Sequence, residues 1–281
     1  MRGTVFLVPR ASAARIFTAC KPPASRITRA LKRHDFSPTD YAGFAKKILR
    51  AATKPVDKDV LEPVVGIKGM QLSTVVNCLR YEGRLLSLAG DSLNLGRLRF
   101  VATSTWTPEG LDAGDLAEAL SWLAGEYLRG YGPARVEDFA WWAGVTKKAA
   151  RQAIEAHDTV DVGNGLLLTK KDESAFARTK PLKNTVDLLP KWDAYTMGYA
   201  PDGRRRFVHP DNQAAVYTPI GSGLPGDGNP VVLVDGQVAA TWTFTVKDGP
   251  AVQPFDTLGP RVRKRVDEKL EEVAGLLTRT D

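Results

Sequence analysis

The stretch Met70-Gln71-Leu72-Ser73-Thr74-Val75-Val76-Asn77-Cys78-Leu79-Arg80-Tyr81-Glu82, closed by Gly83 and followed by Arg84-Leu85-Leu86-Ser87-Leu88, decides the fold. Leu72, Val75, Val76 and Leu79 fall on one face of a helix, at the spacing of an amphipathic α-helix. Upstream, residues 57–65 form a short helical stretch and Gly66 and Gly69 bracket a turn, which is helix-turn-helix spacing. After Gly83 the period drops to two: Arg84 to Leu88, the turn Gly90-Asp91-Ser92-Leu93-Asn94-Leu95-Gly96, then Arg97-Leu98-Arg99-Phe100-Val101. A hairpin that follows the second helix of such a pair reads as a wing.

The arrangement repeats. A helix over about 113–131, a second over 136–142, Gly144 in the turn and a third over 147–157 lead to the hairpin Thr159-Val160-Asp161-Val162, Gly163-Asn164-Gly165, Leu166-Leu167-Leu168-Thr169. Before the first module, Gly3 to Val8 reads as a short strand ended by Pro9, and residues 11–19 and 26–34 carry helical periodicity around the breaker Lys21-Pro22-Pro23. Ser37-Pro38-Thr39-Asp40 sets an N-cap and first-turn proline for a helix to about Ala52. From Asn184 the chain is β-rich, with strands expected at 186–189, 206–209, 231–234 and 238–246. Asp235-Gly236 is a hairpin turn, and 221–229 reads as a loop. A final helix from Pro260 to about Thr278 starts with Arg261, Arg263, Lys264 and Arg265. The expected class is α+β: tandem winged helices, then a β-rich, barrel-like C-terminal part and a terminal basic helix. The expected domains are 1–108, 109–180 and 181–281.

Composition agrees with a folded chain of more than one domain: 281 residues, 43% hydrophobic and 25% charged. No apolar run approaches a membrane span and the N-terminus lacks the pattern of a leader, so the reading is cytoplasmic, with no membrane partner. Cys20 and Cys78 support neither a disulfide framework nor a zinc site, His34, His157 and His209 are scattered, and the Gly221–Gly228 run lacks the Lys-Ser/Thr of a phosphate loop. No cofactor is expected. The net charge of +7 favours a polyanionic partner.

In a helix-turn-helix, side chains near the start of the second helix meet base edges and flanking cations hold phosphates. The candidates are Lys68, Gln71, Ser73, Thr74 and Arg80 in the first module and Lys147, Lys148, Arg151 and Gln152 in the second. Solvated helix faces that pack on other domains are the bland alternative. The wing residues Arg84, Arg97 and Arg99 suit any exposed hairpin. Arg204-Arg205-Arg206, after the Asp202-Gly203 turn, reads as a basic tip able to reach a backbone or minor groove. Trp141, Trp142, Trp106 and Trp242 read as core.

Several segments carry a family resemblance. They are Arg2-Gly3-Thr4 with Phe6-Leu7-Val8-Pro9, Tyr127-Leu128 with Tyr131-Gly132-Pro133-Ala134, and Asp138-Phe139-Ala140-Trp141-Trp142-Ala143-Gly144. Downstream come Leu188-Leu189-Pro190-Lys191-Trp192-Asp193-Ala194-Tyr195 with Gly198-Tyr199, and Pro230 to Gly236 running on to Thr241-Trp242. In order and spacing the chain resembles the winged-helix DNA-binding family of the AlkZ and YcaQ DNA glycosylases. That resemblance implies tandem winged helices cradling duplex DNA, and excision of N7-alkylated purines or unhooking of crosslinks. It also implies a catalytic Gln followed two residues later by Gln or Asp, upstream of the Arg-Gly-Thr strand. Here that strand opens the chain, and none of Gln71, Gln152, Gln213, Gln237 and Gln253 begins such a motif. The family tends to have a His where this chain has Phe6. No catalytic residue carries over, so the expectation is a DNA cradle, acting as a monomer on double-stranded DNA in repair of alkylated or crosslinked DNA. Either the true start lies further upstream, or the protein is a catalytically depleted relative. The alternatives are an active glycosylase and a winged-helix regulator or interaction scaffold, the regulator dimerising on half-sites.

Overall fold

The computed structural model describes residues 7–88, 98–220, 224–245 and 247–278. Most of the expected opening strand, the whole first wing turn, Arg97, the start of the glycine-rich loop and Val246 lie outside those residues. The chain forms two compact units, 1–126 with 143–156 and 127–142 with 157–281. This partition follows contacts rather than sequence order, and it cuts across the segment 109–180.

The first unit begins with α1 (Arg10–Cys20), α2 (Ala24–Lys32) and α3 (Pro38–Ala51). Pro22 and Pro23 separate α1 from α2. Ser37 caps α3 through a reciprocal capping box with Asp40, whose side chain accepts from the Ser37 backbone at 2.9 Å. Helix α4 (Lys58–Val65) ends at Gly66, whose φ of 83° is left-handed, and α5 (Gly69–Tyr81) follows. Leu61, Val65, Leu72, Val75, Val76 and Leu79 are buried in one core with Leu31, Tyr41 and Ile48. Strands β1 (Leu85–Leu88) and β2 (Arg99–Ala102) then pair antiparallel, Leu85 opposite Ala102, and lead into the short helix α6 (Thr103–Trp106). Trp106 is half-exposed, not core: it sits on a single helical turn at the surface.

Helix α7 (Leu116–Tyr131) runs from one unit into the other and starts later than its periodicity suggests. The Asp115 carboxylate accepts from the Glu118 N–H at 2.8 Å and fixes the start, just past Gly114 at φ 81°. Helix α8 (Val136–Ala143) and α9 (Lys147–Glu155) come next, then the antiparallel pair β3 (Thr159–Asp161) and β4 (Leu167–Thr169), a 3-10 turn at Lys170–Asp172, and α10 (Glu173–Arg178).

The second unit contains a sheet of β5 (Val186–Leu189), β8 (Val231–Val234), β9 (Gln237–Thr245) and β10 (Gly249–Pro254), in the order β10-β9-β8-β5, every neighbour antiparallel. It is an open sheet, not the barrel-like closure expected. Helix α12 (Pro260–Leu277) packs its Val266 and Leu270 on Val186, Val232, Ala240 and Trp242, so one sheet face finds its apolar cover in a helix. Asp235 at φ 52° and Gly236 at φ 81° make the expected two-residue turn between β8 and β9. Two readings are corrected. Residues 206–209 are not a strand: Arg206 ends a 3-10 helix, Pro201–Arg206, and its guanidinium folds back onto the Gly203 carbonyl at 3.0 Å. Part of the expected loop is strand β7 (Leu224–Gly228), paired with β6 (Tyr217–Ile220), which follows the short helix α11 (Gln213–Val216).

The second unit is organised around Asp138, whose side chain has no exposed surface. Arg135 donates to it through Nε at 3.2 Å and Nη2 at 2.9 Å, Arg206 donates at 3.1 Å, and the Ala200 backbone N–H at 3.0 Å. Arg135 also grips Asp202 with two bonds of 2.9 Å, and its guanidinium holds the Asp202 carboxyl below the usual carboxylate range. Gly203 passes so close that a Cβ there would collide with the Asp138 carboxylate and the Arg135 guanidinium. Around this hub, Tyr127, Tyr131, Phe139 and Trp142 form an aromatic cluster, and the Tyr127 hydroxyl donates to the Gly198 carbonyl at 2.8 Å. Removing one partner of a buried ion pair strands the others in a poorly solvated site. Asp138→Ala is therefore expected to lower unfolding free energy by about 3–5 kcal/mol in urea denaturation, and a loss near the level of an exposed ion pair would show that the hub is not structural.

Candidate nucleic-acid interface

Helix α5 presents two of its five expected contact residues openly. Lys68, at the N-cap position, and Gln71 are exposed, beside Met70, which is 74% exposed. The other three are occupied within the protein. Lys58 on α4 donates to the Ser73 hydroxyl at 2.9 Å and to the Gly69 carbonyl at 3.2 Å, while Ser73 itself donates back to Gly69 at 2.9 Å. Thr74 shares a hydrogen bond of 2.9 Å with His34. Arg80 is half-buried and donates to Asn77 at 2.8 Å, and burial pulls its guanidinium below the ordinary arginine value.

Helix α9 carries its candidates on an exposed face. Thr146 caps it, its hydroxyl accepting from the Ala149 N–H at 3.2 Å, and Ala150, Ala153 and Ile154 form the buried face. Lys147, Lys148, Arg151 and Gln152 are all exposed. Two lysines and no acid occupy the first turn, where the partial positive charge of the helix N-terminus opposes cations by about 0.3–1 kcal/mol each. An anion held at that end turns the same arrangement to advantage, since backbone N–H groups and both ammonium groups then act together.

The expected basic tip at 204–206 is corrected. Arg204 is 1% exposed, with its guanidinium 3.7 Å from the centre of the Tyr217 ring and 4.8 Å from that of Trp141. Arg206 is spent on Asp138, on the Gly203 carbonyl and on the Pro133 carbonyl at 2.9 Å. Arg205 alone of the three is exposed. Of the wing arginines, Arg84 pairs with Glu82 at 3.3 Å and Arg99 is half-buried on β2. Sequence reasoning passes over the exposed cations of α2, Arg29, Lys32 and Arg33; the signal that finds them is the complete lack of acidic residues before Asp35.

Burial pushes the Cys20 and Cys78 thiols up to about 11, which removes them as nucleophiles at neutral pH. Among the described residues no three His, Cys, Asp or Glu side chains gather as a metal site would require, and no helix is long and apolar enough to cross a membrane.

The structure is similar to the DNA glycosylase AlkZ of Streptomyces sahachiroi, with a TM-score of 0.71 and 19% identity over 98% of this chain and 78% of that one; at that identity the likeness is one of fold. Among curated proteins no relative matches. The family described as DNA glycosylase AlkZ-like matches residues 1–276, nearly the whole length. The chain therefore belongs to the AlkZ-like DNA glycosylase family.

Proposed function

We propose that this protein binds double-stranded DNA as a monomer through two helix-turn-helix units, each completed by a hairpin as in a winged helix, in repair of alkylated or crosslinked DNA. The observation that carries the reading is α9, with Lys147, Lys148, Arg151 and Gln152 exposed around its capped N-terminal half. Exposed cations at the start of such a helix are suited to phosphates, and Gln152 and Gln71 to base edges. Lys68 and Gln71 offer a smaller version of the same surface on α5, and Arg205 adds one exposed cation in the other unit. Membership of a DNA glycosylase family supports the connection with repair.

Excision of a base needs a polar or anionic group beside the glycosidic bond to stabilise an oxocarbenium-like sugar and position water. The sequence holds no Gln followed two residues later by Gln or Asp, so DNA binding is assigned to this chain and excision is not. The second reading, an active glycosylase acting on N7-alkylpurines, is favoured by the family itself.

Two experiments separate these. With duplex DNA carrying N7-alkylguanine, the expected result is binding without release of free base. Release would establish the active-enzyme reading, and no binding would overturn the DNA-binding one. Lys147→Gln with Lys148→Gln is expected to weaken duplex binding and to flatten the slope of log affinity against log salt by about 0.9 per lost phosphate contact. An unchanged slope would remove α9 from the interface.

A further inference from the structure

Eight of the 39 Lys and Arg residues, and none of the 32 Asp and Glu, lie in the first 34 positions. That leaves 31 bases against 32 acids in the other 247 residues, so the entire positive excess of the chain sits at this end. Among the described cations there, Arg10 pairs with Glu109 at 3.1 Å, and Arg15, Lys21 and Arg26 lie over the rings of Trp122, Phe17 and Tyr81. Arg29, Lys32 and Arg33 are exposed, and among the described residues no acid pairs with them.

We infer that the outer face of α2, carrying Arg29, Lys32 and Arg33, is a phosphate-binding surface that extends the α5 contact along the backbone of duplex DNA. This rests on the DNA-binding reading above and assigns a site to it. The inner face of α2, with Ile27, Ala30 and Leu31, packs into the core that α5 shares. Two contacts set its direction: Arg26 lies over Tyr81 at the end of α5, and His34 bonds Thr74 nearer the start. The two helices are thus antiparallel, and Lys32 and Arg33 stand towards the end of α5 that carries Lys68 and Gln71.

Charge economy separates a binding face from an ordinary solvated one. On α12 three of the five cations are matched along the helix, Arg263 to Asp267 at 3.1 Å, Lys264 to Glu268 at 3.9 Å and Lys269 to Glu272 at 2.7 Å. On α2, Arg29 instead has like charges three and four residues on, an arrangement that weakens a helix. Cations near a helix C-terminus gain from the helix dipole, which accounts for Arg29 and Lys32 in the last turn but not for the lack of any acid over the whole segment. A polyanion supplies the missing partner. The four steps from Arg29 to Arg33 rise about 6 Å along the helix, against about 3.4 Å per phosphate along one strand, enough for about two to three phosphates.

The test compares binding to a short undamaged duplex over roughly 50–200 mM salt. It uses the unaltered chain, the triple variant Arg29→Gln, Lys32→Gln, Arg33→Gln, and a control with equal charge loss at exposed positions, Arg178→Gln, Lys180→Gln, Lys183→Gln. The triple variant is expected to lose about two to three units of log–log slope, at about 0.9 per contact, while the control keeps the parent slope. If the triple variant does not fold, the three single variants each read a loss of about 0.9. A parent slope in the α2 variants, or an equal loss in the control, overturns the assignment while the DNA-binding reading stands. Absence of binding by the unaltered chain overturns both.

Discussion

A carboxylate taken out of water is tolerated only where cations and N–H donors replace its hydration, and Asp138 is such a group. Its partners come from three places in the chain: Arg135 at the mouth of α8, the Ala200 amide, and Arg206 at the end of a 3-10 helix. Satisfying it therefore fixes where α8 stands against the segment 200–206, and leaves no room for a side chain at Gly203. The aromatic rings of Tyr127, Tyr131, Trp142 and Tyr199 close over the same centre. Two of three consecutive arginines are consumed in the process, one by charge and one by ring stacking.

Cations in the other unit are used in the reverse way. On α9 and α2 the apolar residues face inward and the basic ones are exposed. Buried cations specify the fold, while exposed ones hold a field in solvent and contribute to attracting a polyanion.

Local rules made the helices legible. The apolar spacing of 72–79, the Ser37-Pro38 start of α3 and the Asp235-Gly236 turn depend on neighbours in sequence, and each lands within a residue or two of its expected place. So does the exposure of Lys147, Lys148, Arg151 and Gln152, which follows from helical period once the inward face is known. Failures arise where distant partners decide. Phe207 and Val208 look like strand residues, yet Pro201 and the pull of Asp138 on Arg206 wind the preceding segment into a 3-10 helix. Leu224 to Gly228 looks like a loop, yet Gly228 suits a strand that runs against Met197, and Asp227 takes a bond from the Trp192 indole and an ion pair from Lys191 at 3.0 Å. Ser73 and Thr74 have the right chemistry for DNA, but Lys58 and His34 claim them first. The Arg29, Lys32 and Arg33 face was visible in composition all along, since it needs only a count of charges by segment.

Family membership places the chain among AlkZ-like DNA glycosylases, and the contact proposed for it runs mostly through phosphates, with Gln71 and Gln152 offered to bases. The most direct measurement is the salt dependence of affinity of the unaltered chain for an undamaged duplex. Binding through α9, α5 and α2 predicts a linear fall of log affinity with log salt, with a slope of about −4 or steeper, as about five phosphate contacts require. A slope near zero, at whatever affinity, would contradict it.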